Sequence, residues 1–183
     1  MEFSELVKCR YACRKFQARE VSAQILYDIL NEAVNAPSAK NSQPWKFYVA
    51  CLPGQVQKIR ACLQDDGRNA FLKGAPAFIV LFEEQPDNIA CSKYGNDRFV
   101  KYDVGEVCAY ITLSAKNKGL DTCIVGWINE TRLHEVTGAQ FPCGLIIAVG
   151  YGDGNSISKK NRIPAESKII NYAELSEQTN SQE

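Results

Sequence analysis

The order of apolar patterns along this chain predicts an α+β fold. Amphipathic helical stripes and short apolar strand runs are interspersed, without the regular strand and helix alternation of a doubly wound fold. No internal repeat and no linker interrupts the core. At 183 residues, with 45% hydrophobic and 23% charged residues, the chain has the size and composition of a single globular domain, predicted over residues 1–175. The polar residues Ser176–Glu183 read as a frayed tail.

The elements follow in order. From Val21 to Ala36 apolar residues recur every four (Val21, Ile25, Ile29, Ala33) beside Leu26, Leu30 and Val34, the stripe of an amphipathic helix. Ser22 is placed to cap its start and Pro37 to stop it. Lys46–Cys51 alternates, with Phe47, Val49 and Cys51 on one face, and predicts a strand ended by Pro53 and Gly54. Val56, Ile59 and Leu63 predict a short helix, and the continuous apolar run Ala77–Phe82 a buried strand. Glu83–Lys101 is polar and irregular. Asp103 is placed to cap a longer helix with Val104, Val107, Cys108, Ile111 and Ala115 inward and Gly119 as its stop. A strand at Cys123–Val125, a helix over Glu130–Thr137 ended by Gly138, and a strand Leu145–Val149 complete the core.

Lysine plus arginine equals aspartate plus glutamate at 21 each, so no overall field draws the chain to nucleic acid or anionic lipid, and any anion site must be local. The longest apolar stretches are too short for a bilayer span, so no membrane insertion is predicted. Residues 1–10 interleave charged and apolar residues without the apolar core of a secretory signal, which predicts a cytoplasmic chain. Eight cysteines (Cys9, Cys13, Cys51, Cys62, Cys91, Cys108, Cys123, Cys143) are scattered without a CxxC pair, so reduced thiols acting as small hydrophobes are expected and no metal site. Cys13 stands apart, because its arginine neighbours could lower a thiol pKa.

Three stretches could carry chemistry. Arg10-Tyr11-Ala12-Cys13-Arg14-Lys15-Phe16 puts two guanidinium groups four residues apart, where they would converge on one phosphate if the backbone is helical; a solvated basic face is the commoner origin of such a run. Lys159-Lys160-Asn161-Arg162 carries the same ambiguity. The most specific stretch is the polar, proline-bracketed loop from Pro37 through Ser38, Ala39, Asn41 and Gln43 to Trp45, whose amides, hydroxyl and carboxamides could read a planar heterocycle. A surface turn above a buried Trp45 is the plainer alternative. Gly150-Tyr-Gly152-Asp-Gly154 is not a dinucleotide fingerprint and reads as a glycine turn. The single histidine, His134, reads as a surface residue, leaving no basis for a catalytic triad. Tyr94, Phe99 and Tyr102 could form a lid or cover a core edge.

These stretches, in this order, resemble the nitroreductase family of FMN-dependent oxidoreductases. Arg10 to Phe16 resembles its N-terminal basic signature, with Ala12 where the family usually has serine, and Pro37 to Trp45 its Pro-Ser-x-x-Asn-x-Gln-Pro-Trp loop. The similarity continues through Tyr102-Asp103-Val104-Gly105, Lys118-Gly119-Leu120, Cys123-Ile124-Val125-Gly126, the strand into Gly150-Tyr151, and Lys160-x-Arg162-x-Pro164. The resemblance implies a mixed, largely antiparallel sheet flanked by helices, and a homodimer with FMN in two interface sites. It implies that Arg10, Arg14, Lys160 and Arg162 bind the phosphate, with Tyr11 and Ala12 in the same segment. Pro37, Ser38, Ala39, Asn41 and Gln43 would meet the ring or ribityl chain, partly across the interface, and Val125 and Gly126 would lie by the flavin N5 edge. The activity implied is electron transfer from NAD(P)H through the flavin to an electron-poor acceptor such as a nitroaromatic or quinone, in turn, with no catalytic side chain. Dehalogenation, enone reduction and flavin fragmentation occur on similar scaffolds. Non-catalytic FMN storage and a Cys13 thiol enzyme are the rivals from other classes.

Overall fold

A computed structural model describes residues 1–85, 99–154 and 160–171. In chain order it contains α1 (Phe3–Cys9), α2 (Ala23–Ala33), β1 (Trp45–Ala50), α3 (Pro53–Leu63), β2 (Ala77–Glu83), α4 (Val100–Asn117), β3 (Asp121–Val125), α5 (Glu130–Thr137) and β4 (Cys143–Gly150). The four strands form one sheet in the order β1-β2-β4-β3, every neighbouring pair antiparallel. Among the described residues the one parallel contribution is an isolated bridge between Ala12 and Thr122 at the β3 edge. The α+β expectation holds.

Strand alternation divides the core into two layers. Ala77, Ile79 and Leu81 of β2 with Ile147 and Val149 of β4 pack under α2 and α4; Phe78, Val80 and Phe82 with Ile146 and Ala148 pack under α3 and α5. Covered on both sides, residues 77–81 are sealed from solvent, which is why β2 reads in sequence as an unbroken apolar run.

Helix ends differ from the sequence expectation where tertiary contacts take over. Ser22 caps α2 as expected, its Oγ accepting from Ile25 N at 3.3 Å. The helix stops at Ala33 rather than Ala36, because Ala36 N turns to Ala33 O and the Asn35 carboxamide takes up the Asn31 and Glu32 carbonyls before Pro37. Pro53 and Gly54 open α3 rather than only closing β1: Pro53 sits in the first turn, and Gln55 Oε1 accepts from Leu52 N at 3.3 Å. Asp103 does not cap α4, which begins one turn earlier because buried Val100 continues the Val104, Val107 and Ile111 stripe. Helix α5 spans the expected residues, closed by Gly138 at φ 70°.

Tyr94 and the tail Ser176–Glu183 lie outside the described residues, as do Cys91 and Lys159. Phe99 and Tyr102 form an edge-to-face pair at 6.5 Å, with Tyr102 exposed. Among the described residues no helix is long and apolar enough to cross a membrane, and no group of His, Cys, Asp and Glu could hold a metal ion.

Candidate functional site

Residues 10–16 are extended, not helical. Helix α1 ends at Cys9, and Arg10 leaves it at φ −64°, ψ 127°. Cys13 N donates to Thr122 O at 2.8 Å and Gln17 N to Tyr151 O at 2.8 Å, so the segment passes from the start of β3 to the chain leaving β4. Its alternation buries Tyr11 and Cys13 and turns Arg10, Ala12 and Arg14 the other way. Arg10 and Arg14 therefore stand about 13 Å apart along the strand rather than one helical turn apart.

Two buried side chains fasten this segment. Lys116 Nζ pairs with Asp121 Oδ1 at 2.8 Å, the Tyr11 hydroxyl points to Asp121 Oδ2 at 3.4 Å, and the Lys116 ammonium lies 5.5 Å from the Tyr11 ring centre. Burial, the hydrogen bond with Cys13 and the Asp121 charge together push the Tyr11 phenol up. The fit is close: a Cβ on Gly152 would lie 2.7 Å from the Tyr11 oxygen, and one on Gly150 would lie 2.6 Å from Pro76 Cδ and 2.8 Å from Phe16 Cδ1. The 150–154 stretch is thus a packing seam, with Gly150 closing β4 and Gly152 bridged to Phe16.

The activation of Cys13 that its arginine neighbours left open finds no support in the thiol's surroundings. Its thiol is fully buried and donates to Lys15 O at 3.0 Å, and burial raises its pKa, with Asp121 and Asp153 adding to the rise. Burial likewise pushes Cys108 up to about 11 and Cys143 up to about 12, as for thiols acting as small hydrophobes.

Arg10 gathers cations. Lys160 Nζ donates to Val7 O at 2.8 Å and Lys8 O at 2.7 Å, the last carbonyls of α1, which brings it beside Arg10. Burial, then the charges of Arg162 and Arg10, lower the Lys160 pKa. The Arg10 Nε is buried without a hydrogen-bond partner. Among the described residues no ion pair neutralises Arg10, Lys160 or Arg162. An orphaned guanidinium nitrogen beside two further cations fits a phosphate monoester, whose oxygens would satisfy the donor and offset the repulsion. Arg14 is not in this cluster; its guanidinium lies 5.8 Å from the Phe71 ring centre. Beside Arg10 a cleft of about 370 Å³ runs between α1, α4 and the β3 edge, lined by Val7, Cys108, Thr112, Ile124 and Leu145.

The second element is the loop before β1. Ser38 and Ala39 are half-buried, and Pro37, Asn41 and Gln43 are exposed. Lys40 (φ 54°), Asn41 (φ 56°) and Gln43 (φ 48°) are all left-handed without being glycine, at about 1 kcal/mol each. Ser38 Oγ accepts from Gln43 N at 3.0 Å, and Gln43 Nε2 donates to Asn41 O at 3.3 Å. The loop meets α4 through Asp103, whose Oδ1 and Oδ2 accept from Ala39 N at 3.1 and 3.2 Å. Asp103 is nine-tenths or more buried; that burial raises its pKa, against the Ala39 N–H and the Ser42 hydroxyl, which lower it. Sequence reasoning took Asp103 for a helix cap; its partner 64 residues away leaves no local signal.

Val125 ends β3, buried, and Gly126 follows it, exposed at the open edge of the sheet. His134 is half-buried rather than on the surface, because its Nε2 lies 3.0 Å from Phe141 O and so ties α5 to the chain entering β4.

The sequence profile of the Nitroreductase family matches residues 7–151, most of the chain, and the protein belongs to that family. An iodotyrosine deiodinase of Haliscomenobacter hydrossis is 25% identical over 142 residues, covering 65% of this chain and 64% of that protein. The chain spans less than two thirds of the length of that relative and of two other curated relatives. Two solved structures share the fold at a TM-score of 0.79. One is a nitroreductase family protein of Clostridium difficile (24% identity, 93% of this chain, 98% of that one). The other is a protein of Exiguobacterium sibiricum in complex with FMN (20% identity, 92% of this chain, 96% of that one).

Proposed function

We propose that this protein is an FMN-dependent oxidoreductase that takes electrons from NAD(P)H and passes them to a small electron-poor acceptor, such as a nitroaromatic or a quinone. The observation that carries the reading is the Arg10 cluster: a buried, unpartnered guanidinium nitrogen with Lys160 and Arg162 beside it in a chain of zero net charge. Those cations suit a ligand with a phosphate. Arg14, on the same side of the extended segment, would meet the ligand farther along, with Ala12 between it and Arg10 and Tyr11 behind. Pro37, Ser38, Ala39, Asn41 and Gln43 would read the ring by amides and carboxamides, and Val125 and Gly126 would offer backbone groups at its reactive edge.

Bound FMN would supply the redox chemistry. The chain's own residues would bind, orient and desolvate. Val125 and Gly126 carry no titratable side chain, and the buried Cys13 thiol is tied to Lys15 O, so positioning rather than an acid or base is asked of the protein.

A homodimer is part of this reading. At about 100° per residue, Asp103, which holds the 38–43 loop, lies about half a turn around α4 from Gly105, Cys108 and Thr112, which line the Arg10 cleft. Loop and cluster thus flank α4 on opposite sides, and a second copy is needed to bring one of each to a single ligand. The outer side of α4 is apolar as well as the inner: Tyr102 and Tyr110 are exposed, and with Phe3 and Leu6 of α1, Ala109 and Leu113 line an open groove of about 520 Å³. A cytoplasmic location and a single domain over residues 1–175 complete the proposal.

The test is the visible spectrum of the purified protein with FMN or riboflavin added, followed by anaerobic NAD(P)H. Tighter binding of FMN than riboflavin and bleaching by NAD(P)H are expected. Equal affinities would remove the phosphate assignment, and flavin binding without bleaching would leave a storage protein. Similarity to the deiodinase favours reductive dehalogenation as a second reading, checked by halide release from a halotyrosine.

A further inference from the structure

The 38–43 loop is bonded within itself, but those bonds do not fix where it sits. Asn41 N returns to Ser38 O at 3.0 Å, Ser42 N to Ala39 O at 3.1 Å, and Gln43 N to Ser38 Oγ, so the loop is a small closed unit with three left-handed residues. What joins this unit to the helix layer is a buried carboxylate. Both Asp103 oxygens share the Ala39 amide, with the Ser42 hydroxyl as a further hydrogen-bonding neighbour, and among the described residues Asp103 is in no ion pair. A carboxylate removed from water without a counter-ion is held by such donors, and it holds them in return. A backbone with left-handed side-chain-bearing residues stays in that conformation when its surroundings over-determine it.

We propose that Asp103 is a positioning residue that clamps the strained 38–43 loop onto the first turn of α4, and so sets how Ser38, Asn41 and Gln43 meet the flavin ring. The clamp stands on the chain's own geometry; its effect on the ring rests on the flavin reading above. A phosphate ligand such as Arg10 discriminates FMN from riboflavin. Asp103 acts on the ring portion the two share, so its loss weakens both equally.

The experiment uses the full chain with Asp103→Ala and Asp103→Asn. In flavin-free protein, trypsin cleavage after the exposed Lys40, followed by mass spectrometry, is expected to accelerate about tenfold or more in Asp103→Ala, the loss of a charge-assisted bond. Asp103→Asn keeps one oxygen for the Ala39 amide and is expected to fall between it and the wild type, whereas a third variant, Asp103→Leu, which fills the space but offers no acceptor, is expected to be cut as fast as Asp103→Ala, an outcome that simple loss of packing would not give. With flavin added, Asp103→Ala is expected to weaken FMN and riboflavin by the same factor, leaving their ratio unchanged, and to shift the midpoint potential of whatever flavin is bound. Cleavage after Lys40 at the wild-type rate in folded Asp103→Ala overturns the clamp, and a loss confined to FMN overturns its effect on the ring. Should Asp103→Ala not fold, Asp103→Leu cut at the wild-type rate and binding both flavins as the wild type does overturns it equally. If the wild type binds no flavin, the flavin reading fails and the trypsin result still decides the clamp.

Discussion

Residues 10–16 and residues 38–43 are both short stretches offering polar groups to a ligand, yet they are fixed by opposite means. The first is an unstrained extended segment, laddered to Thr122 and Tyr151 and locked by two inward side chains, Tyr11 and Cys13. The second has almost no inward side chains and three left-handed residues, and leans on one buried carboxylate. The difference suits the two tasks. A phosphate is met by long cationic side chains that tolerate some error, so a robust ladder suffices; a ring read by backbone amides and carboxamides demands a particular backbone path, which ordinary extended geometry does not supply.

The largest expected effect falls on the first region. Arg10→Ala should weaken FMN binding by about 1.5–3 kcal/mol, roughly tenfold to a hundredfold, with riboflavin unchanged, as read by fluorescence titration. Arg14→Ala should cost less, because Arg14 stands outside the cluster; equal losses would mean the ligand bridges the whole segment. Gly150→Ala forces Pro76 and Phe16 apart and should destabilise by about 2 kcal/mol, lowering Tm by about 4–8 °C in a melting scan.

A pH titration separates the regions next. Lys160 has a lowered pKa that a bound phosphate would raise again, so its contribution to FMN affinity is full below the lysine's value in the flavin-free protein and is lost as pH rises from there through its value with the phosphate bound. The loss should appear in the ratio of FMN to riboflavin affinity, because the ring's own imide N–H, which titrates in the same alkaline range, is common to both. The smallest effect belongs to the loop: Lys40→Gly relieves one left-handed side chain and should stabilise by about 0.5 kcal/mol after the entropy cost of glycine. A loss of stability there would mean that the Lys40 side chain holds the loop.

How much of this was legible in the sequence follows the same division. Helices α2, α3, α4 and α5 and all four strands were readable because burial imposes a period on their residues. Arg10 to Arg14 was readable too, but with the wrong period: the alternation of Arg10, Ala12 and Arg14 with Tyr11 and Cys13 is a strand signal, and it was the spacing of the two arginines that suggested a helical turn. The left-handed path of Lys40, Asn41 and Gln43 left no mark, since none is glycine. The bonds of Asp103 to Ala39 and of Lys116 to Asp121 depend on which surfaces the fold brings together, and a carboxylate next to a helix start looks like a cap from its neighbours alone.

Lys160 carries a consequence for where the working unit ends. An ammonium has three protons, and two are given to Val7 and Lys8 carbonyls, which leaves one for a ligand. The same side chain thus finishes the first helix and charges the pocket, although it lies beyond residue 151, where the family match stops. A fragment cut to residues 1–151 would keep the whole sheet and α1, leave the last α1 carbonyls open to water, and strip Arg10 of both cationic neighbours. Such a fragment keeps Arg10 and should still prefer FMN to riboflavin, but by a smaller factor than the full chain, so the stretch that builds the architecture and the stretch that completes the ligand site have different lengths.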